Sequence, residues 1–125
     1  MILLLDAHAL VWWFTDVSSL SADARAAIAD PGNQVLVSAA SIWELATKRA
    51  KGKIDLAGDL SASIEQAGFA GVPITTADAQ AAAALPLHHH DPFDRMLVAQ
   101  AVRLDALVVT RDPMFARYDV EILLA

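Results

Sequence analysis

The sequence predicts a three-layer α/β domain, a central parallel sheet flanked by helices, and three observations lead there. Short apolar runs alternate along the chain with longer stretches of helical spacing. Two of those runs, Ile2-Leu3-Leu4-Leu5 and Val35-Leu36-Val37, are apolar at every position, as strands covered on both faces are. The chain has 125 residues, the length of one ordinary domain, so a single domain over residues 1–125 is expected.

Taken in order, the first strand stops at Asp6, and Ala7 to Phe14 follows with helical spacing. Ser21 is a natural N-cap for the alanine-rich helix after it, and Asp30-Pro31-Gly32-Asn33 is turn chemistry that ends that helix. Val35 to Val37 is the second strand; a helix from about Ala39 to Ala50 follows, closed by Gly52 before an Ile54-Asp55-Leu56 segment. Leu60 to Phe69 reads as a short helix, Val72-Pro73-Ile74 as a brief strand and Ala77 to Ala84 as another helix. After His88-His89-His90, Asp91 can cap a helix with Pro92 at its first position, running to about Leu104. Ala106 to Thr110 is the most strand-like run, and Asp112-Pro113 opens one more helical turn before Val120 to Leu124.

Composition removes several classes. With 56% hydrophobic residues, 26 of them alanine, disorder is excluded. No cysteine means no disulfide framework, thiol nucleophile or Cys-ligated zinc, and the expected location is a reducing cytoplasm. The longest apolar runs, Ala9 to Phe14 and Ala81 to Leu87, fall far short of the ~18 residues of a membrane helix, and the first residues do not read as a signal peptide. Nine Lys and Arg against fifteen Asp and Glu give a formal net charge of −6, which by itself argues against a nucleic-acid partner.

The placement of the acids is more informative than their number. Asp6 follows the first strand, Glu44 lies inside the helix after the second, Asp94 is in the first turn of its helix, and Asp112 follows the Val-Val-Thr strand. In an open parallel sheet the ligand crevice lies beyond the carboxyl ends of the strands, so these acids can converge there. Clustered carboxylates stay ionised together only around a hard cation, and oxygen-only ligation suits Mg²⁺ or Mn²⁺. Such an ion matches phosphoryl or phosphodiester chemistry. Helix capping explains the same acids differently: Asp6, Asp91 and Asp112 each precede a helix start, and Asp91 to Asp94 and Ser41 to Glu44 have capping-box spacing. Spacing does not choose between the two.

Four blocks carry a family resemblance: Leu-Leu-Leu-Asp6-Ala-His8, Ser38-Ala-Ala-Ser-Ile-Trp43-Glu44-Leu-Ala-Thr-Lys48, Asp91-Pro-Phe-Asp94-Arg95-Met-Leu-Val-Ala-Gln-Ala and Val-Val-Thr110-Arg111-Asp112. In this order the chain resembles PIN-domain proteins, and more narrowly the VapC toxins of bacterial toxin–antitoxin pairs. The resemblance implies a PIN-like fold and a Mg²⁺- or Mn²⁺-dependent endoribonuclease. It also implies a VapB-type antitoxin whose tail occupies the toxin groove, with a homodimer and a toxin–antitoxin hetero-oligomer as assemblies. It places the metal-site and catalytic acids on Asp6, Glu44, Asp94 and Asp112, with Asp91 as an accessory or a cap. The first block departs from the family pattern at Ala7, where a hydroxyl residue is usual. The implied reaction is hydrolysis of an RNA phosphodiester by metal-held water, displacing the 3′ oxygen.

Other residues have weaker claims. Lys48, Arg49, Lys51 and Lys53 form a basic patch suited either to tracking RNA phosphates or to stabilising a helix C-terminus. Thr110 can hydrogen-bond a site acid; Arg95 and Arg111 can pair with the carboxylates or with phosphate, an ordinary salt bridge being the plainer role. His8 on its helix points away from Asp6, and the histidine triplet reads as a solvated loop. Of the adjacent Trp12 and Trp13, only one can face a single core. A Mg²⁺-dependent phosphatase and a non-catalytic interaction module are the competing readings, the first weakened because Asp6-Ala7-His8 lacks the second Asp of an Asp-x-Asp signature. With four acids assigned to a metal, the rest of the chain carries only −2, so RNA binding is expected to depend on divalent metal.

Overall fold

The computed structural model describes residues 1–125. Five strands, β1 (Ile2–Leu5), β2 (Gln34–Ser38), β3 (Ala70–Val72), β4 (Leu107–Thr110) and β5 (Ile122–Leu124), form one sheet in the order β3-β2-β1-β4-β5. All pairings are parallel: Leu4 sits opposite Leu36 on one side and Val108 on the other. Six helices cover the sheet: α1 (Ala7–Thr15), α2 (Ala22–Ala29), α3 (Ala39–Ala50), α4 (Leu60–Gln66), α5 (Thr76–Ala84) and α6 (Pro92–Leu104). The predicted three-layer α/β architecture is the one observed.

Successive strand residues point to opposite faces, and both faces are buried, which is why the runs Ile2–Leu5, Val35–Val37 and Leu107–Val109 are apolar. Leu3 and Leu5 join Val35, Val37 and Val109 in a core against Leu10, Ile28, Leu45 and Ile64. Leu4, Leu36 and Val108 face the other way onto Leu97, Val98 and Phe115. Leu3, Leu4 and Leu5 are wholly buried, each contributing ~2 kcal/mol of transfer free energy at most. These cores seat β1 at the centre of the sheet.

The caps largely follow sequence chemistry. Ser21 Oγ accepts from the Ala24 N–H at 3.0 Å, and Thr75 with Asp78 closes a complete capping box on α5. The expected Ser41–Glu44 box does not form. Helix α3 starts earlier, capped by Ser38, whose Oγ accepts from the Ala40 N–H at 3.0 Å. Two segments differ from expectation. Helix α4 ends at Gln66 because Gly68 turns the chain at φ 82°, which releases Phe69 into the core. Strand β3 is Ala70–Val72 rather than Val72–Ile74: Pro73 has no N–H to donate, so pairing stops with Val72 opposite Ser38. Ile54 to Leu56 forms no regular element, and the turn after Asp112 is a 3-10 helix, Pro113–Arg117. No helix is long and apolar enough to cross a membrane.

Candidate metal centre

Chain order reverses at β1: β2 and β3 lie on one side, β4 and β5 on the other. The crevice of such a sheet opens where neighbouring carboxyl ends diverge, and β1 and β4 end in Asp6 and in Thr110-Arg111-Asp112. A cleft of about 440 Å³ lies there, and Asp6, Glu44, Asp91, Asp94 and Asp112 all line it. Lys48, Arg111 and His8 complete its polar wall, with Ala7 and Trp12 as the apolar part. A hollow of about 520 Å³ is larger, but lies at the opposite, amino end of the strands, between Ile2, Leu107 and Val120; the four predicted acids are absent from it.

Capping and convergence prove compatible because a carboxylate has two oxygens. Asp6 Oδ1 accepts from the Ala9 N–H at 2.8 Å, capping α1, while Oδ2 accepts from Thr110 Oγ1 at 2.6 Å. Asp112 Oδ1 accepts from the Met114 N–H at 2.9 Å, and its Oδ2 lies 2.9 Å from His89 Nε2. Asp91 Oδ1 caps α6, accepting from the N–H groups of Phe93 at 2.8 Å and Asp94 at 3.2 Å. The return bond of a capping box is missing there, since the Asp91 N–H donates to His89 Nδ1 at 3.2 Å instead. Glu44 caps nothing. It is buried on α3, one oxygen 2.7 Å from Lys48 Nζ a turn later.

The electrostatics are those of crowded anions. Burial raises the Asp6 carboxyl above its ordinary range, against the hydrogen bonds from Thr110 and Ala9, which lower it. Asp94 is pushed up to about 7, first by burial and then by Asp91, with Glu44 and Asp6 adding to the shift and His89 opposing it. Every oxygen donor here is a hard carboxylate. The donor set, and the strain of keeping these carboxyls ionised side by side, fit a divalent ion such as Mg²⁺ or Mn²⁺.

Other predicted residues divide. Thr110 is a bridge: besides holding Asp6, its Oγ1 accepts from the Asp112 N–H at 3.0 Å. Arg95 turns away from the acids. The Nη1 and Nη2 groups of its buried guanidinium donate to the carbonyls of Ala82, Ala83, Leu85, Pro86 and His89 at 2.8 to 3.3 Å, an arrangement suited to the planar fork of an arginine. Arg111 stands 4.2 Å over the Trp12 ring and donates to the carbonyls of Ala125 and Ser19. Of the basic patch, Lys48 reaches the cleft. Arg49 donates to the carbonyls of Leu56 and Gly58 at 3.3 and 2.8 Å, and Lys51 and Lys53 are exposed outside it. Trp12 lies between Arg111 and His8, whereas Trp13 packs on Phe69 at 6.0 Å. His89 is the residue that sequence reasoning missed, and His88 stacks edge-on against Tyr118 at 5.1 Å.

Comparison with known proteins adds a family and a fold. The family model described as PIN domain matches residues 3–121. No curated protein matches the sequence. Solved structures similar to the chain include VapBC2 from Rickettsia felis bound to a promoter DNA fragment, at TM-score 0.70 and 13% identity, covering 98% of each chain. A toxin–antitoxin complex from Klebsiella pneumoniae is similar at TM-score 0.67 and 16% identity, over 97% of this chain and 95% of the other. FitAcB from Neisseria gonorrhoeae is similar at TM-score 0.62 and 22% identity, over 99% and 97%. At such identities the likeness is one of fold.

Proposed function

Because this chain belongs to the PIN-domain family, we propose that it is a metal-dependent endoribonuclease, the toxin of a VapBC-type pair restrained by a small VapB-type antitoxin. One observation carries the reading: acids from four separate parts of the sequence meet in one cleft at the carboxyl ends of β1 and β4. The toxin–antitoxin complexes among the similar folds support the assignment to that class.

In this reading Asp6, Glu44, Asp94 and Asp112 hold Mg²⁺ or Mn²⁺ and are the catalytic acids, with Asp91 as the cap that aims the first turn of α6. Bound there, the ion supplies a Lewis acid for the phosphodiester and lowers the pKa of attacking water. The hydrogen bonds from Thr110 and the Ala9 N–H favour the ionised form of Asp6 and offset part of the burial that raises its carboxyl. Lys48 balances Glu44 at the cleft wall and offers a cation there for an RNA phosphate, with Lys51 and Lys53 exposed outside the cleft. Trp43, 64% exposed and packed edge-to-face on Phe93 at 5.1 Å, gives an apolar ledge beside the acids of the kind a protein partner covers. A homodimer and a hetero-oligomer with the antitoxin are the proposed assemblies.

The test is cleavage of RNA by the purified protein with Mn²⁺ or Mg²⁺ and with chelator, alongside growth inhibition on expression. Asp6→Asn and Asp94→Asn are expected to lower cleavage on the order of 100-fold or more while the protein stays folded. Variants that cut and inhibit like the wild type would refute the reading. Release of phosphate from small phosphomonoesters without RNA cleavage would move the protein to the phosphatase class.

A further inference from the structure

The ring of His89, in the loop between α5 and α6, is held at both nitrogens. Nε2 lies 2.9 Å from Asp94 Oδ2 and 2.9 Å from Asp112 Oδ2. On the other side the backbone N–H of Asp91 points at Nδ1 over 3.2 Å. A backbone amide only donates, so Nδ1 must present its lone pair, and the single ring proton of a neutral imidazole then sits on Nε2. From there it is donated to Asp112 Oδ2, while Asp94 Oδ2 lies beside the same nitrogen. One tautomer thus serves both the Asp91 N–H and the Asp112 carboxylate. The rest of the residue is fixed too: its N–H donates to the Tyr118 hydroxyl at 2.9 Å, its carbonyl accepts from Arg95 Nη1 at 3.2 Å, and its ring meets Phe115 edge-on at 6.2 Å and 81°.

His89, Asp94 and Asp112 have the donor types and proximity of a three-ligand metal site. The ring's surroundings speak against that use of the histidine. A metal-ligating imidazole turns a lone pair to the ion and donates its other N–H to an acceptor. For Nε2 to ligate, the proton would have to move to Nδ1, where it would face the Asp91 N–H, donor against donor.

We propose that His89 is a positioning residue of the acidic cleft: as the neutral Nε2–H tautomer it holds the carboxylate of Asp112, beyond β4, beside Asp94, at the start of α6, and does not itself bind the ion. The inference rests on the metal-dependent reading of the cleft. Its consequence is geometric. The hydrogen bond fixes where the Asp112 carboxylate stands relative to Asp94, so the metal meets a spacing already made.

The experiment uses the whole protein with Mn²⁺ as probe, in the wild type, His89→Gln and His89→Leu. Glutamine keeps an N–H donor near the Nε2 position without an imidazole; leucine keeps bulk alone. Long-range ¹H–¹⁵N spectra of the wild type, metal-free and with Mg²⁺, are expected to show the proton on Nε2 of His89. Electron spin-echo spectra of bound Mn²⁺ are expected to show no directly ligated imidazole nitrogen. Mn²⁺ affinity, by titration, should fall ~10-fold or more in His89→Leu and stay within ~3-fold in His89→Gln. Nitrogen coupling, a proton on Nδ1, or a folded leucine variant that binds Mn²⁺ as tightly as the wild type would each overturn the proposal. If leucine does not fold, the two wild-type spectra still decide it. A wild type that binds no Mn²⁺ overturns the metal reading of the cleft as a whole, a result distinct from nitrogen coupling, which overturns the positioning role alone.

Discussion

Asp94→Asn tests the electrostatics of the cleft without reference to any substrate. The carboxyl is pushed to about 7 in the folded chain, against an ordinary value of 3.8. The folded state therefore binds a proton that the unfolded chain releases between pH ~4 and ~7, so this group destabilises the metal-free fold progressively as pH rises through that window. A shift of about three units corresponds to ~4 kcal/mol at pH 8 and ~1.5 kcal/mol at pH 5. Asparagine has the same shape and carries no charge. Relative to the wild type it should be more stable in chelator, by a margin that widens by ~2.5 kcal/mol from pH 5 to pH 8. At ~3 °C or more per kcal/mol, the difference in Tm grows by roughly 8 °C. Calorimetry at pH 5, 6.5 and 8 in chelator measures this directly. Saturating Mn²⁺ should stabilise the wild type and close the gap, because the ion binds the ionised folded form. A margin that does not change with pH, or a variant less stable than the wild type at pH 8, would refute the argument.

Three further outcomes follow from individual contacts. Thr110→Val removes the hydrogen bond to Asp6 Oδ2 and should lower stability at pH 7 by ~1.5–3 kcal/mol in urea titrations, with weaker Mn²⁺ binding. Arg95→Lys should destabilise by ~3 kcal/mol or more by the same measurement, since one ammonium cannot serve the carbonyls that the guanidinium gathers from Ala82 to His89. Asp78, buried beneath Arg103 and Gln100, is held down to about 2 chiefly by the Arg103 guanidinium. Its stabilising share is complete above pH ~4 and is lost as pH falls toward 2; Asp78→Asn should remove that segment of the acid-denaturation curve.

Most of the fold was legible because local and global signals agree. The apolar runs Ile2–Leu5 and Val35–Val37 announce burial on both faces, and Ser21 and Asp91 mark helix starts by chemistry that needs no tertiary contact. The errors fall where neighbours decide. Phe69 continues the helical spacing of α4, yet Gly68 breaks the helix so that the ring can enter the core. The site acids were legible from their places after β1 and β4; how one carboxylate both caps a helix and faces a cleft was not, because spacing does not distinguish Oδ1 from Oδ2. His89 and Arg95 were opaque for a related reason. The histidine's partner Asp112 is 23 residues away, and the arginine's are carbonyls, which are present at every residue and carry no sequence signature. A histidine two residues before a capping aspartate was the available signal.

The order β3-β2-β1-β4-β5 also has a meaning in time. The hydroxyl partner of Asp6, Thr110, lies 104 positions later, so β1 waits for β4 while the intervening chain is made. At ~5–20 residues per second that interval is ~5–20 s. A nascent chain thus spends that interval as an unfinished sheet with the cleft unbuilt.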